Sequence, residues 1–314
     1  MRQTASRTSP VIKALLTLAF AQTAAHAAPG TPPAPPQPMV GLGTTTMLDA
    51  EGGVGSLFQV LGTGYHATRI NNANGKEVPV DFKQNAQGAL LHYVYTSNIQ
   101  VLGAHVGGEI ILPVAHVNLH AGPVQDSTSG VGDTILGFVL QWHKLTLFNR
   151  PFSARFDLNV VAPTGSFDRD EVVNLGNKLW QISPYIATTL RVTDRWEVSN
   201  RINYNWSGVS HRPPYGSGHE SAQPGDQLAV NLSASYGISE TWRVGVGSYM
   251  LRQLSDSRTD GADIADSRQR VFGAGPTARW SHGRTMVIIS AYKEFEAENR
   301  SQGYQGVLRL MRVF

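Results

Sequence analysis

From residue 196 the chain reads Trp-Glu-Val-Ser-Asn-Arg-Ile-Asn-Tyr-Asn-Trp, with apolar and polar side chains in alternate places. Trp196, Val198, Ile202, Tyr204 and Trp206 share one face with a single polar exception, Asn200. Glu197, Ser199, Arg201, Asn203 and Asn205 share the other. Successive side chains of a strand point to opposite faces, so a period of two predicts a strand with one apolar and one polar side. Leu228, Val230, Leu232, Ala234 and Tyr236 alternate in the same way with Gln227, Ala229, Asn231, Ser233 and Ser235. Phe156, Leu158, Val160 and Ala162 do so with Arg155, Asp157 and Asn159. After the first ~50 residues, twelve segments read as strands. Their links alternate between long and tight. The long ones, rich in Gly, Asp, Asn and Pro, fall at 71–79, 121–129, 164–175, 207–223, 255–267 and 297–301. The tight ones fall at 97–98, 149–151, 193–194, 239–240 and 281–284, and the contrast in length fades at the end of the chain.

An apolar face can pack on a soluble core or meet lipid, and the links favour lipid. An outer-membrane barrel has an even number of strands, long outer loops and short periplasmic turns. A soluble sandwich has no reason to sort its turns by length. Trp196 and Trp206 bracket their apolar face as interfacial aromatics do. Ten residues at ~3.3 Å each give ~33 Å of tilted strand, enough for an apolar band ~25 Å tall. Helical spans are excluded, because no segment after the leader approaches 18 uninterrupted apolar residues; Ile110 to Val117 is interrupted by Pro113 and His116. The expected fold is therefore all-β, a transmembrane antiparallel barrel of about twelve strands.

Residues 1–27 read as a secretory signal, with Arg2, Arg7 and Lys13 before the apolar stretch from Ala14 to Ala21 and a small-x-small site at Ala25-His26-Ala27. Residues 28–53 form a Pro/Gly-rich segment, and 54–314 the expected barrel. The terminal strand ends on Phe314, the aromatic such barrels offer to their assembly machinery. The charge of +3 belongs to the leader, since removing its three cations leaves 23 basic and 23 acidic residues. That balance removes the electrostatic argument for nucleic-acid binding. With no Cys, disulfides, thiol nucleophiles and thiolate metal sites are excluded.

Candidate chemistry is sparse. There is no Gly-x-Ser-x-Gly elbow, and no Gly-x-Gly pair continues into a dinucleotide loop. His116 and His120 have a helical zinc spacing, but on a strand they lie ~13 Å apart and cannot share a metal. Ser217, His219 and Glu220 are loop neighbours, whereas triad members converge from separate segments. Asp256, Asp260, Asp263 and Asp266 sit among Arg258, Arg268 and Arg270, which favours a self-neutralising loop over an ion site. No cofactor is expected.

Gly130-Val131-Gly132-Asp133, Gly137 and Trp142-His143 open a set of motifs that continues with Ala162-Pro163-Thr164-Gly165-Ser166-Phe167-Asp168 and Asn174-Leu175-Gly176-Asn177 with Trp180 and Pro184. It ends with Arg270-Val271-Phe272, Gly275-Pro276, Tyr292-Lys293-Glu294-Phe295 and Ala297-Glu298-Asn299-Arg300. In order and spacing these resemble the phenol-degradation meta-pathway family of outer-membrane proteins, from about Gly55 to Phe314. Arg312 departs from the family, which more often has an aromatic there. The resemblance implies a Gram-negative outer-membrane barrel encoded near genes for aromatic catabolism; it supplies no substrate and no catalytic site.

With the apolar face on lipid and lipopolysaccharide, Arg155, Asp157, Asn159, Glu197, Arg201, Asn203, Gln227, Asn231, Arg243 and Arg279 should line the lumen. The direction of Tyr292 to Phe295 stays open, because Val287, Ile288 and Ile289 are consecutive and apolar. Residues 28–53 are expected either as a periplasmic tail or as a lumen plug using Met39, Val40, Leu42, Met47 and Leu48. The expected function is passive uptake of a small hydrophobic or aromatic solute. The rivals are a lipid-acting enzyme and a structural or adhesin-like barrel.

Overall fold

The computed structural model describes residues 41–44, 47–213 and 219–314. Their strands are β1 (Gly55–Asn71), β2 (Phe82–Val101), β3 (Ala104–Ala121), β4 (Val124–Val131), β5 (Thr134–Leu147), β6 (Arg150–Ala162), β7 (Gln181–Arg191) and β8 (Trp196–Ser207). There follow β9 (Ala222–Gln223), β10 (Gln227–Gly237), β11 (Trp242–Gln253), β12 (Arg258–Thr259), β13 (Ala262–Asp263), β14 (Arg270–His282), β15 (Thr285–Glu298) and β16 (Arg300–Val313). No described segment is helical.

Thirteen of these strands make the twelve staves of one closed antiparallel barrel, β4 and β5 sharing a stave. Each pairs with its neighbour in sequence, and β1 closes the ring by pairing with both β2 and β16. Closure satisfies every interior strand and leaves no open sheet edge in the membrane. The three two-residue strands β9, β12 and β13 form a small sheet within the outer loops.

Alternation sets the two faces. Along β8 and its neighbours, Trp196, Val198, Ile202, Trp206, Ile186 and Leu232 are exposed, while Glu197, Ser199, Asn203 and Asn205 are buried inside. In a barrel with little water inside, the exposed apolar row is the lipid face. Asn200 lies in that row, but its Nδ2 donates to Oγ1 of Thr188, directly opposite on β7. The polar exception is thus half of a cross-strand pair, the arrangement that tolerates polarity facing lipid. On β15, Ile288, Ser290, Tyr292 and Glu294 are buried within and Ile289 and Phe295 point outward, which fixes the register the sequence left open.

Several turns differ from the sequence expectation. The first tight turn is Leu102-Gly103, with φ of 51° and 74°, and not 97–98. Paired left-handed residues match strand twist in a two-residue hairpin. Ser97 instead marks an irregularity in the β2–β3 register, where its Oγ donates to the Val106 carbonyl. The expected loop at 121–129 shrinks to Gly122-Pro123, because Val124–Val131 continues as β4 along Val114–Ala121 of β3. At 297–301 only Asn299 separates β15 from β16.

β4 and β5 are in effect one stave interrupted at Gly132-Asp133. The outer half of β3 pairs with β4 and the inner half with β5. Beyond β6, residues 163–180 turn back over the outer mouth, and Val173 and Leu175 pack with Phe82, Val117 and Leu119. Asp133 anchors this loop, its carboxylate accepting from Gly165 N at 2.8 Å and Asn177 N at 2.9 Å. Gly165 and Gly176 pass so closely that a Cβ on Gly165 would stand 2.7 Å from the Gly176 Cα. The motifs at 130–133, 162–168 and 174–177 therefore converge on one structure, the inturned loop and its anchor.

The barrel interior as candidate functional site

The interior is built by inward side chains of the staves and by residues 41–44 and 47–53, which precede β1 and cross the lumen. Leu42 is buried with Tyr249, Leu251, Tyr292 and Val307. Ala50 is buried with Tyr185 and Ala187, and Met47 and Leu48 are buried as well. Staves on several sides hold the segment's backbone. Asn231 Oδ1 accepts from Gly43 N at 2.8 Å, and Thr189 Oγ1 accepts from Ala50 N at 3.0 Å. Gln141 Nε2 donates to the Ala50 carbonyl at 2.9 Å and Gln305 Nε2 to that of Leu42 at 3.1 Å. Met39 and Val40 lie outside the described residues, as does the expected signal segment.

Charges cross the middle of the lumen. Arg201 Nε and Nη2 donate to Oδ2 of Asp49 at 3.0 and 2.8 Å, and the guanidinium lies 4.4 Å over the Tyr185 ring. Arg309 Nη1 approaches Oδ1 of the same carboxylate at 3.7 Å. Beside them Arg155 donates to Glu109 at 2.6 Å and grips Asp157 with two nitrogens. Glu109 also accepts from His92 Nε2 at 2.9 Å, while Gln59 Nε2 contacts His92 Nδ1. Nearer the periplasmic end, Glu51 and Arg191 form a two-point pair at 2.6 and 2.8 Å.

This band separates two cavities. The outer one, about 130 Å³, has Leu61, Leu90, Ile111, Ile135, Val161 and Leu175 in its wall, with Asn159, Asn203 and Glu109 among its polar groups. The inner one, about 190 Å³, reaches Met47, Glu51, Val54, Arg279 and Met311. Gln59, His92, Tyr185, Arg201 and Arg309 border both, so they form the partition.

The residues expected in the lumen do not form one cluster. Arg155, Asp157 and Arg201 meet in the charged band, and Asn159 and Asn203 face the outer cavity. Asn231 holds Gly43. Glu197 is buried among Ser199 and Ser235, and Arg243 donates to Ser235 and to the Arg195 carbonyl. Arg279 reaches Ser281 and the Met47 carbonyl, while Gln227 is buried between Asn205 and Gln253. Glu109, Arg309, His92, Tyr185 and Asp49 were not anticipated. Glu109 is masked by Gly107-Gly108 and Ile110-Ile111, whereas Arg309, set between Leu308 and Leu310, obeys the period-two rule and was open to detection. A further buried carboxylate, Glu294, is held by Tyr65, Tyr249 and the Gly303 amide.

Outside the barrel wall, Arg258 pairs with Asp263 and Arg268 with Asp256. Asp260 joins two outer loops, accepting from Glu220 N and Ser221 N and pairing with His219. The His219 hydrogen bond and the Ser221 amide hold the Asp260 carboxyl below its ordinary value. Ser217 lies outside the described residues.

The profile of a family described as "Putative MetA-pathway of phenol degradation" matches residues 67–310. Among solved structures, the chain resembles an outer membrane channel from Pseudomonas putida F1 with a TM-score of 0.75 and 22% identity, over 86% of this chain and 100% of that one. The transport unit of the autotransporter AIDA-I from Escherichia coli overlaps less well, with a TM-score of 0.49 and 11% identity over 87% of this chain and 94% of that one. No curated protein sequence matches the chain. The shared fold is the outer-membrane β-barrel.

Proposed function

The chain belongs to this phenol-degradation family, and from that premise we propose a passive outer-membrane channel for small hydrophobic or aromatic solutes, with residues 41–53 as its plug. The observation that carries the reading is the outer cavity. Its volume of about 130 Å³ suits one aromatic ring. For scale, an apolar cavity of ~150 Å³ accommodates benzene. Six aliphatic side chains line it, and the Leu175 loop hangs over its mouth. Apolar walls with a few placed polar groups are the usual make-up of a small-molecule site. Flux follows the solute gradient, sustained by consumption inside the cell. The lipid face meets phospholipid and lipopolysaccharide.

Uptake of labelled phenol and naphthalene by intact cells tests this, since the lipopolysaccharide leaflet resists such solutes and the channel relieves that resistance. Cells with the protein should take up both faster than cells without it, and glucose uptake should not change. Ile135→Trp fills the cavity and should cut aromatic uptake about tenfold, the equivalent of ~1.4 kcal/mol in binding. Equal uptake with and without the protein would overturn the reading.

A further inference from the structure

Arg309 is buried and Arg201 half-buried in the lumen, and neither pairs with a carboxylate other than Asp49 among the described residues. Asp49 does not belong to the barrel wall. It sits on the crossing segment, so the wall alone presents two arginines without an acid between them. Arg155 differs, because the wall residues Glu109 and Asp157 compensate it.

The fit of Asp49 is incomplete. Its Oδ2 takes both bonds from Arg201, while Oδ1 is buried with no hydrogen bond, 3.7 Å from Arg309 Nη1. Arg309 Nε is likewise buried without a partner. A carboxylate free to approach between the two guanidiniums would recover bonds that the tethered Asp49 cannot make. Charge-assisted pairs of this kind are about twice as strong as neutral hydrogen bonds. Both arginines border the outer cavity, whose far wall is Leu61, Leu90, Ile111 and Val161.

We infer that Arg201 and Arg309 form the head-group subsite of the channel, that it takes the carboxylate of a small amphipathic acid, and that Asp49 occupies it in place of that acid. The inference rests on the channel reading and sharpens it. The apolar part of the solute lies in the outer cavity and its acid group lies on the partition. The arriving acid displaces Asp49, and with it one of the contacts that hold the crossing segment in the lumen.

Calorimetric titration of the purified, detergent-solubilised protein with benzoate, and with benzamide as its neutral isostere, tests this without requiring conduction. Asp49→Asn, which frees both arginines of the one carboxylate they pair with among the described residues, should bind benzoate about tenfold more tightly than wild type and than benzamide, a difference of ~1.4 kcal/mol. Adding Arg201→Gln and Arg309→Gln should erase the preference. In a salt gradient across a planar bilayer, Asp49→Asn should shift the reversal potential toward anion selectivity and the triple variant should return it. Heat-modifiable gel mobility confirms folding, and deletion of residues 41–53 serves the same comparison should Asp49→Asn not fold. Equal binding of benzoate and benzamide, or a preference that survives loss of both arginines, overturns the inference. If aromatic uptake by cells persists in that case, the channel reading stands and only the acid subsite falls.

Discussion

Glu109 concentrates much of the interior energetics in one side chain. It is buried, and it receives both Arg155 and His92. Glu109→Ala removes one carboxylate from a buried charged network; breaking a buried pair outright costs ~3–5 kcal/mol, and the retained Asp157 keeps the loss at or below the lower end of that range. Glu109→Gln keeps an oxygen that can accept from Arg155 and should cost less. The midpoint of heat-induced loss of the fast-migrating folded form should therefore fall in the order wild type, Glu109→Gln, Glu109→Ala. An alanine variant as stable as wild type would show that the network is decorative. Arg155 retains Asp157 in either variant, so the damage should stay local to the partition.

At the scale of elements, the inturned loop depends on Asp133. Two backbone amides, Gly165 and Asn177, donate to one carboxylate, and bonds to a charged acceptor contribute ~1.5–3 kcal/mol each. Asp133→Ala should release residues 163–180 from the mouth. Trypsin applied to intact cells should then cut at Arg169 or Lys178 in the variant and spare wild type. Equal resistance would mean that Val173 and Leu175 hold the loop by packing alone.

The strands were legible because alternation is a local property: Trp196–Ser207 announces its two faces without reference to the rest of the chain. The ten expected lumen residues follow from the same rule, but alternation cannot say which of them meet. Arg201 meets Asp49 across 152 positions of sequence, and that contact exists only once the ring has closed. Turn positions were less legible, because Leu102 takes a left-handed φ of 51° that its side chain does not advertise. β4 escaped notice because Val124–Val131 is short of apolar residues and pairs only with the outer half of β3.

At the scale of the whole molecule, Leu42, Gly43, Asp49 and Ala50 are bonded to β5, β7, β8, β10 and β16, so the crossing segment braces the interior as well as narrowing it. Deleting 41–53 should raise single-channel conductance severalfold and broaden the range of solutes admitted. The same deletion should lower the thermal midpoint, because Gln141, Thr189, Asn231 and Gln305 lose their backbone partners. Unchanged conductance would place the constriction at the partition of Arg201, Arg309 and His92.

Gly52 and Gly53 link the crossing segment to β1, and without a Cβ their backbone freedom makes this a flexible leash. A group on a short flexible leash acts at an effective concentration of about a millimolar, whatever is dissolved around it. Asp49 is therefore a permanent intramolecular competitor for its own channel. A solute that shares its site must be either abundant on the scale of that concentration or bound more tightly than a lone aspartate. Under the proposed subsite the leash sets a threshold: trace solutes leave Asp49 in place, and a rising supply displaces it in proportion.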